Sequence, residues 1–394
     1  MAHRPTVHPV RQVLLKVHSR CNLACDYCYV YYHADHSWRL QPMVMSRETI
    51  DRAAQRLGEH VRAHQLSKVS VILHGGEPLL AGIDKIRYVA QTIRGAVPEG
   101  TDVDLRVQTN GVLLDERFLE LFHEHDIRVG VSLDGDQATN DRHRRYANGR
   151  SSYSAVRGAL GLLREERFRR LYSGILCTVE LDSDPVVVYE ALLRLEPPRL
   201  DFLLPHGNWN KPPPRLDPSG QHTPYADWLI AIFDRWYGAS RQETDIRMFG
   251  SIIRLLTGGS SGSEALGLDP VDLLVVETNG AIEQGDALKT VAHGAAATGL
   301  NVATHSFDEA LDHPGIQARQ RGVDGLAPEC RACRIVSVCG GGHYAHRYRA
   351  GRGFRNPTVY CHDQLRLINH IWRRVEADVQ AMRDALSAPA MGAS

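Results

Sequence analysis

Through the first half of the chain, strand-like apolar runs are each followed by a stretch of helical periodicity. This alternation limits the fold more than any other feature, because such units build a parallel sheet with crossover helices. Six runs qualify: 12–18, 69–74, 103–108, 128–133, 172–179 and 200–204. Ser46 can cap a helix whose Ile50, Ala53, Ala54, Leu57 and Val61 form one apolar stripe, and Asp184 followed by Pro185 can start another. Six units suggest an α/β fold built as a partial (β/α)6 barrel, although a doubly wound sheet fits the same periodicity.

The pattern changes after residue 204. A Pro-rich stretch, 205–224, is too long for an ordinary connection and reads as a lid or a domain link. Two amphipathic helices are expected over 225–237 and 245–256, followed by the flexible run Gly258-Gly259-Ser260-Ser261-Gly262. The expected division is a core at 1–224, a helical linker at 225–262, a small domain at 263–386 and a disordered tail at 387–394. Within the small domain, 271–277 and 281–284 flank Asn279-Gly280, the signature of a hairpin with a type I′ turn. Ser306 and Glu309 form a capping box. A final helix from Asp363 should bury Leu365, Ile368, Trp372, Val375, Val379 and Met382.

Lys plus Arg equals Asp plus Glu at 46 each, so no overall field favours nucleic acid or an anionic membrane. The first 17 residues contain no apolar signal region, and no 18-residue apolar run occurs. A cytoplasmic protein is expected, with neither nucleic acid nor membrane as a partner. Most of the 20 histidines are expected at the surface, and Arg142, Arg144 and Arg145 in a solvated loop or on a peptide carboxylate.

The eight cysteines fall in two groups and one singleton. Cys21, Cys25 and Cys28 follow the first strand, Cys330, Cys333, Cys339 and Cys361 lie near the other end, and Cys177 sits mid-strand as a core thiol. Such bunching in a cytoplasmic chain points to metal rather than disulfides. Three thiolates are one too few for a closed zinc site or a fully protein-ligated [4Fe-4S] cluster. An open iron would be left, able to chelate the amino and carboxylate groups of S-adenosylmethionine; zinc completed by His18 or His33 is the alternative. The second group has four thiolates, enough to close either kind of site.

Cys21-x3-Cys25-x2-Cys28, with Tyr27 before the third cysteine, resembles the signature of the radical SAM superfamily. His74-Gly75-Gly76-Glu77-Pro78, Gln108-Thr109-Asn110-Gly111 and Ser132-Leu133-Asp134-Gly135 stand at the next three strand ends, in that superfamily's order. The resemblance implies cofactor contacts from Tyr27, Gly75, Gly76, Glu77, Gln108, Asn110, Ser132 and Asp134. Asp141 and Arg144 fit an Asp-x2-Arg element of relatives.

The second cysteine group resembles a SPASM extension, a C-terminal iron-sulfur domain, reduced here to one auxiliary cluster. Gly285 stands where a hairpin ligand would be, and His343 where a further cysteine would follow Cys339. Val275-Val276-Glu277, Gly280-Ala281-Ile282-Glu283-Gln284, Cys339-Gly340-Gly341-Gly342 and Asn356-Pro357-Thr358-Val359-Tyr360-Cys361 are similar to the FxsB family of cyclophane-forming maturases. That resemblance implies an oxidoreductase with S-adenosylmethionine and two [4Fe-4S] clusters. Its implied partners are a ribosomal precursor peptide and an electron donor such as flavodoxin or ferredoxin. It also implies a carbon-carbon bond between an aromatic ring and a β-carbon. Asp286 is the candidate base, with Glu283, Asp134 and His206 as rivals. Thioether formation, epimerisation or formylglycine-type oxidation would use the same clusters, and a non-enzymatic metal protein would use the cysteines alone.

Overall fold

The structure, a computed structural model, describes residues 8–387. Ten strands form a single sheet: β1 Gln12–His18, β2 Lys68–Gly75, β3 Asp102–Thr109, β4 Arg128–Ser132, β5 Tyr172–Thr178, β6 Arg199–Leu203, β7 Asp245–Ile246, β8 Leu273–Val276, β9 Ala281–Glu283 and β10 Ala297–Asn301. Their order is β10-β9-β8-β1-β2-β3-β4-β5-β6-β7. From β1 to β7 each strand pairs in parallel with the next, and β8 lies parallel to β1 on the other side. A doubly wound sheet would reverse its strand order part-way. Here the order runs straight through and the two edges do not meet, which is a partial barrel. The six expected strands are β1 to β6.

Strand periodicity explains the two faces. On β1, Val13, Leu15 and Val17 are buried in the core, whereas Gln12 and Leu14 line the cavity inside the sheet. On β2, Val69, Val71 and Leu73 are core, and Ile72 and His74 face the cavity. The expected caps form: Ser46 Oγ accepts from the Thr49 N–H at 3.0 Å, and Asp184 caps a helix with Pro185 in its first turn. Ser306 and Glu309 make a reciprocal capping box. Cys177 is buried.

Four details differ from the sequence expectation. Residues 225–262 hold two helices, Pro224–Tyr237 and Arg247–Leu256, but Asp245 and Ile246 between them form β7 and extend the sheet. In the β8–β9 hairpin only Gly280 has positive φ, at 85°, and Asn279 does not, so the turn is not type I′. The final helix, Cys361–Ser387, packs on helices Pro224–Tyr237 and Arg247–Leu256 through Leu367, Ile368 and Ile371. Of the expected face, Ile368 is buried and Leu365 and Val375 pack partly buried, whereas Trp372 and Val379 are exposed because the buried stripe is centred nearer Leu367 and Ile371. The histidines are mostly half-buried rather than at the surface. The Met382 side chain, residues 1–7 and the expected tail beyond Ser387 lie outside the described residues. Among the described residues no helix is long and apolar enough to cross a membrane.

Candidate active site

The three N-terminal cysteines sit in the loop leaving the C-terminal end of β1. Backbone bonds fold that loop tightly: the Cys28 N–H donates to Cys25 O at 3.0 Å, and the Tyr31 and Tyr32 N–H groups donate to Cys28 O at 3.2 and 2.9 Å. The end of β2 presses against it, with the Gly76 N–H on His18 O and the Glu77 N–H on Arg20 O, both at 2.9 Å. Only glycine permits this approach. A Cβ on Gly75, whose φ is 147°, would stand 2.0 Å from His18 O, and one on Gly76 would stand 2.0 Å from the Tyr31 hydroxyl.

All eight cysteines are free thiols. Burial pushes Cys21 up to about 12 and Cys25 up to about 11, and the neighbouring thiols add to both shifts. Burial likewise raises Cys28. Three thiols grouped in one tight loop suit a bound cation, which would displace their protons.

Around this loop the strand ends are tied together by the expected motif residues. Glu77 is fully buried; its carboxylate accepts from the Leu79 N–H at 3.0 Å, the Thr109 hydroxyl at 2.7 Å and the Asn110 N–H at 2.7 Å. Asn110 Nδ2 donates to Asn22 Oδ1 at 2.7 Å and to Cys21 Sγ at 3.6 Å, and Gln108 Nε2 donates to Ser132 Oγ at 2.9 Å. Asp134 accepts from the Thr178 N–H at 2.9 Å and from the Tyr27 hydroxyl, to which Arg144 Nη1 also donates at 2.9 Å. Arg144 is therefore no solvated loop residue. It is buried, and Tyr27 and Asp134 outweigh its desolvation, so it stays charged beside the thiols.

A cavity of about 980 Å³ opens inside the sheet beyond the cysteine loop. Tyr29, Asp286, His206, His343 and His346 are among the residues that line it. Tyr29 follows Cys28 directly and donates to Asp286 Oδ2 at 3.4 Å; its ring meets that of His206 edge-on at 5.2 Å. His206 Nδ1 and His346 Nε2 are 3.1 Å apart. Burial holds His206 at about 4 and His343 and His346 well below the ordinary imidazole value, so all three are neutral.

Asp286 also lies 2.6 Å from Lys16 Nζ and 3.8 Å from His74 Nδ1. The Lys16 approach is a close ion contact between two buried side chains. Burial alone would raise Asp286, but Lys16 and then Lys289 outweigh it and hold the carboxyl at about 2. Glu283 is different: burial, then repulsion from Glu277, raises it to about 7. Glu283 does not line the cavity, whereas Asp286 does. Of the rivals, His206 lines the cavity, and Asp134 is committed to Tyr27 and Thr178.

At the far end, Cys330, Cys333, Cys339 and Cys361 come together from two short helical turns and the start of the final helix. Burial pushes Cys330 up to about 11 and Cys339 up to about 12, with Cys361 contributing to both. Gly340 makes the close packing here possible. Its φ is 58°, and a Cβ would fall 1.6 Å from Gly267 O. Beside Gly285 stands the Arg319 guanidinium, 3.2 Å from where a Cβ would be, bonded to Gln284 O at 2.6 Å. That guanidinium takes the space of a hairpin cysteine side chain.

Sequence reasoning missed Lys16, Glu277, Lys289, His74, Tyr29, His343 and His346 as site residues. For Lys16 a signal existed: it is the one charged side chain in the run Gln12–His18, on the face that carries Gln12 and Leu14.

Residues 15–191 match the family profile described as the Radical SAM superfamily. The matched stretch of this chain is similar to that superfamily and spans a little under half of its residues. The cysteine loop and strand-end motifs lie inside the matched stretch, and that match together with the relatives below marks the chain as an enzyme. Over 355 residues, 87% of this chain and 82% of the relative, it is 25% identical to the serine-type anaerobic sulfatase-maturating enzyme of Klebsiella aerogenes. It resembles the fold of native anSMEcpe with bound AdoMet and Cp18Cys peptide (TM-score 0.78, 21% identity), covering 94% of this chain and 99% of that one. A more distant likeness is to Streptococcus suis SuiB bound to the precursor peptide SuiA, with TM-score 0.59 and 12% identity over 90% of this chain and 76% of that one.

Proposed function

We propose that this enzyme modifies a ribosomally made precursor peptide, joining an aromatic ring to the β-carbon of a nearby residue. In this reading residues 1–224 form the radical SAM core, 225–262 connect it, and 263–386 carry an auxiliary cluster. Cys21, Cys25 and Cys28 would hold one [4Fe-4S] cluster with S-adenosylmethionine, and Cys330, Cys333, Cys339 and Cys361 a second. When bound, these groups supply one-electron cleavage of S-adenosylmethionine to a hydrogen-abstracting radical and an acceptor for the electron released later. A ferredoxin or flavodoxin would deliver the first electron.

Two features favour clusters over zinc. The compact ligand groups among the described residues are His60, His64 and Asp308, and Glu277, Glu283 and Asp286, neither with a cysteine. Among the described residues no three cysteine sulfurs lie within 4.8 Å of one another, whereas a tetrahedral zinc ion bound at about 2.3 Å would hold them about 3.8 Å apart. The three-thiol loop also lies against polar side chains where the cofactor contacts are proposed: Asn110 Nδ2 reaches Cys21 Sγ, and Tyr27 inside the loop bonds Asp134.

The chain's own part in the chemistry centres on Asp286, the observation that carries the reading. Once the β-carbon has attacked the ring, the ring must shed one electron and one proton. A ring that has lost its electron is a very strong acid, so a carboxylate held at about 2 is still basic enough to take that proton. Tyr29 and Lys16 fix its position, and the neutral imidazoles of His206, His343 and His346 wall the cavity without adding charge. Similarity to sulfatase-maturating enzymes favours a second reading, oxidation of a Ser or Cys side chain.

One experiment separates them. The peptide encoded beside this chain, incubated anaerobically with S-adenosylmethionine and reductant, should lose about two mass units. Fragmentation should map the new bond between a ring carbon and a β-carbon. A bond to sulfur, a formylglycine, or an inverted α-carbon with unchanged mass would each contradict the crosslink.

A further inference from the structure

A row of buried charged side chains leads away from the cavity and ends at the surface. Lys16 touches Asp286 at 2.6 Å and donates to Glu277 Oε1 at 2.9 Å. The same Oε1 accepts from Lys289 Nζ at 2.6 Å. Lys289 in turn lies 2.9 Å from Glu283 Oε2 and 3.9 Å from Asp35 Oδ2. Asp35 Oδ1 is 2.9 Å from His293 Nδ1. Every side chain from Lys16 to Asp35 is at most 7% exposed, and His293 is 66% exposed.

Although Glu277, Glu283 and Asp286 bring carboxylate oxygens within 4.8 Å of one another, this is not a cation site. The two ammonium groups already fill it. As a stabilising device the row is poor, since a buried ion network is often no better than apolar side chains of the same volume. Its continuity from cavity to surface is what calls for another explanation.

We propose that Lys16, Glu277, Lys289, Asp35 and His293 carry the proton accepted by Asp286 out to bulk solvent, with Glu283 as a side store on Lys289. The proposal rests on the reading of Asp286 as proton acceptor. A peptide filling the cavity would close the direct way out, and Asp286 must lose its proton before each new turnover. Lys16 takes the proton from the Asp286 carboxyl as it hands one of its own to Glu277. Lys289 repeats the exchange toward Glu283 or Asp35, and His293 releases one proton to water or buffer. Each ammonium begins and ends with three protons, and no electron moves. Proton affinity rises from about 2 at Asp286 to about 7 at Glu283, so the first passage runs downhill.

The test needs no peptide when the wild-type, Asp35→Asn and His293→Ala rows are all compared in an Asp286→Asn background, which breaks the cavity end that an absent peptide leaves open. In the reconstituted enzyme below pH 7, Glu283 should show the infrared carbonyl band of a protonated carboxyl, identified by its loss in Glu283→Gln. On rapid mixing into D2O that band should shift promptly with the row otherwise intact. It should shift about tenfold more slowly in Asp35→Asn and His293→Ala. Added imidazole should restore His293→Ala, whose side chain is 66% exposed, but not Asp35→Asn. Equal exchange in all three proteins, or no protonated Glu283 below pH 7, would overturn the route. If Asp286→Asn leaves crosslinking unchanged, the acceptor assignment falls, while the infrared result still decides whether the path conducts.

Discussion

Lys16 Nζ stands 2.6 Å from Asp286 Oδ1, and both side chains are buried. One residue comes from the strand that feeds the cysteine loop and the other from the turn after β9, so this contact joins the stretch similar to the radical SAM superfamily to the C-terminal part of the chain. Asp286→Asn should slow crosslinking by about 100-fold or more while leaving reductive cleavage of S-adenosylmethionine intact. Comparing deoxyadenosine release with peptide product measures the split.

Lys16 also sets the pH range. With Asp286 held at about 2, below its ordinary value of 3.8, the carboxylate stays ionised through neutral and mildly acidic pH. Its contribution to stability is therefore present above the unfolded value and is lost only as pH falls toward 2. Lys16→Met should let burial raise Asp286, so that product formation develops a new acid limb nearer neutrality. Lys16→Arg should restore the wild-type profile.

Glu283 has the opposite sign. Its folded value of about 7 lies above the ordinary 4.5, so between those limits the folded protein binds a proton that the unfolded chain does not. Stability should fall as pH rises from about 4.5 to 7, and thermal melting of Glu283→Gln across this range should show a flatter dependence.

Gly340 tests the far cluster without touching a cysteine. An alanine there meets Gly267 O and an unfavourable φ, so Gly340→Ala should cost the C-terminal site about half of the iron taken up on reconstitution. Cys361→Ala should lose crosslinking before it loses S-adenosylmethionine cleavage, because only the later electron removal needs that site. Iron analysis alongside the two product assays reads both variants.

The strands and caps of the barrel were legible because their signals are local. Alternation on β1 and β2, Ser46 before its helix and Pro185 after Asp184 each act over a few residues. The cysteine groups were legible for the same reason. The charged row was not, since Lys16 and Glu277 are 261 residues apart and meet only because β8 pairs with β1. Arg144 was misjudged for a related reason: its hydrogen-bond partner Tyr27 lies 117 residues away, in the loop after β1. The buried face of the final helix was misplaced in part because Trp372 looks like a core residue in sequence. Packing on helix Pro224–Tyr237 keeps the expected Ile368, with Leu365 and Val375 partly buried, but adds Leu367 and Ile371 in place of Trp372 and Val379.

The central claim is a radical begun at the Cys21, Cys25 and Cys28 loop and spent on a peptide β-carbon. Deuterium placed at that β-carbon of the peptide should appear in 5′-deoxyadenosine, and replacing the three cysteines together should abolish both the nucleoside and the crosslink. Crosslinked peptide formed alongside unlabelled deoxyadenosine, or deoxyadenosine released without any of the three thiols, would contradict it.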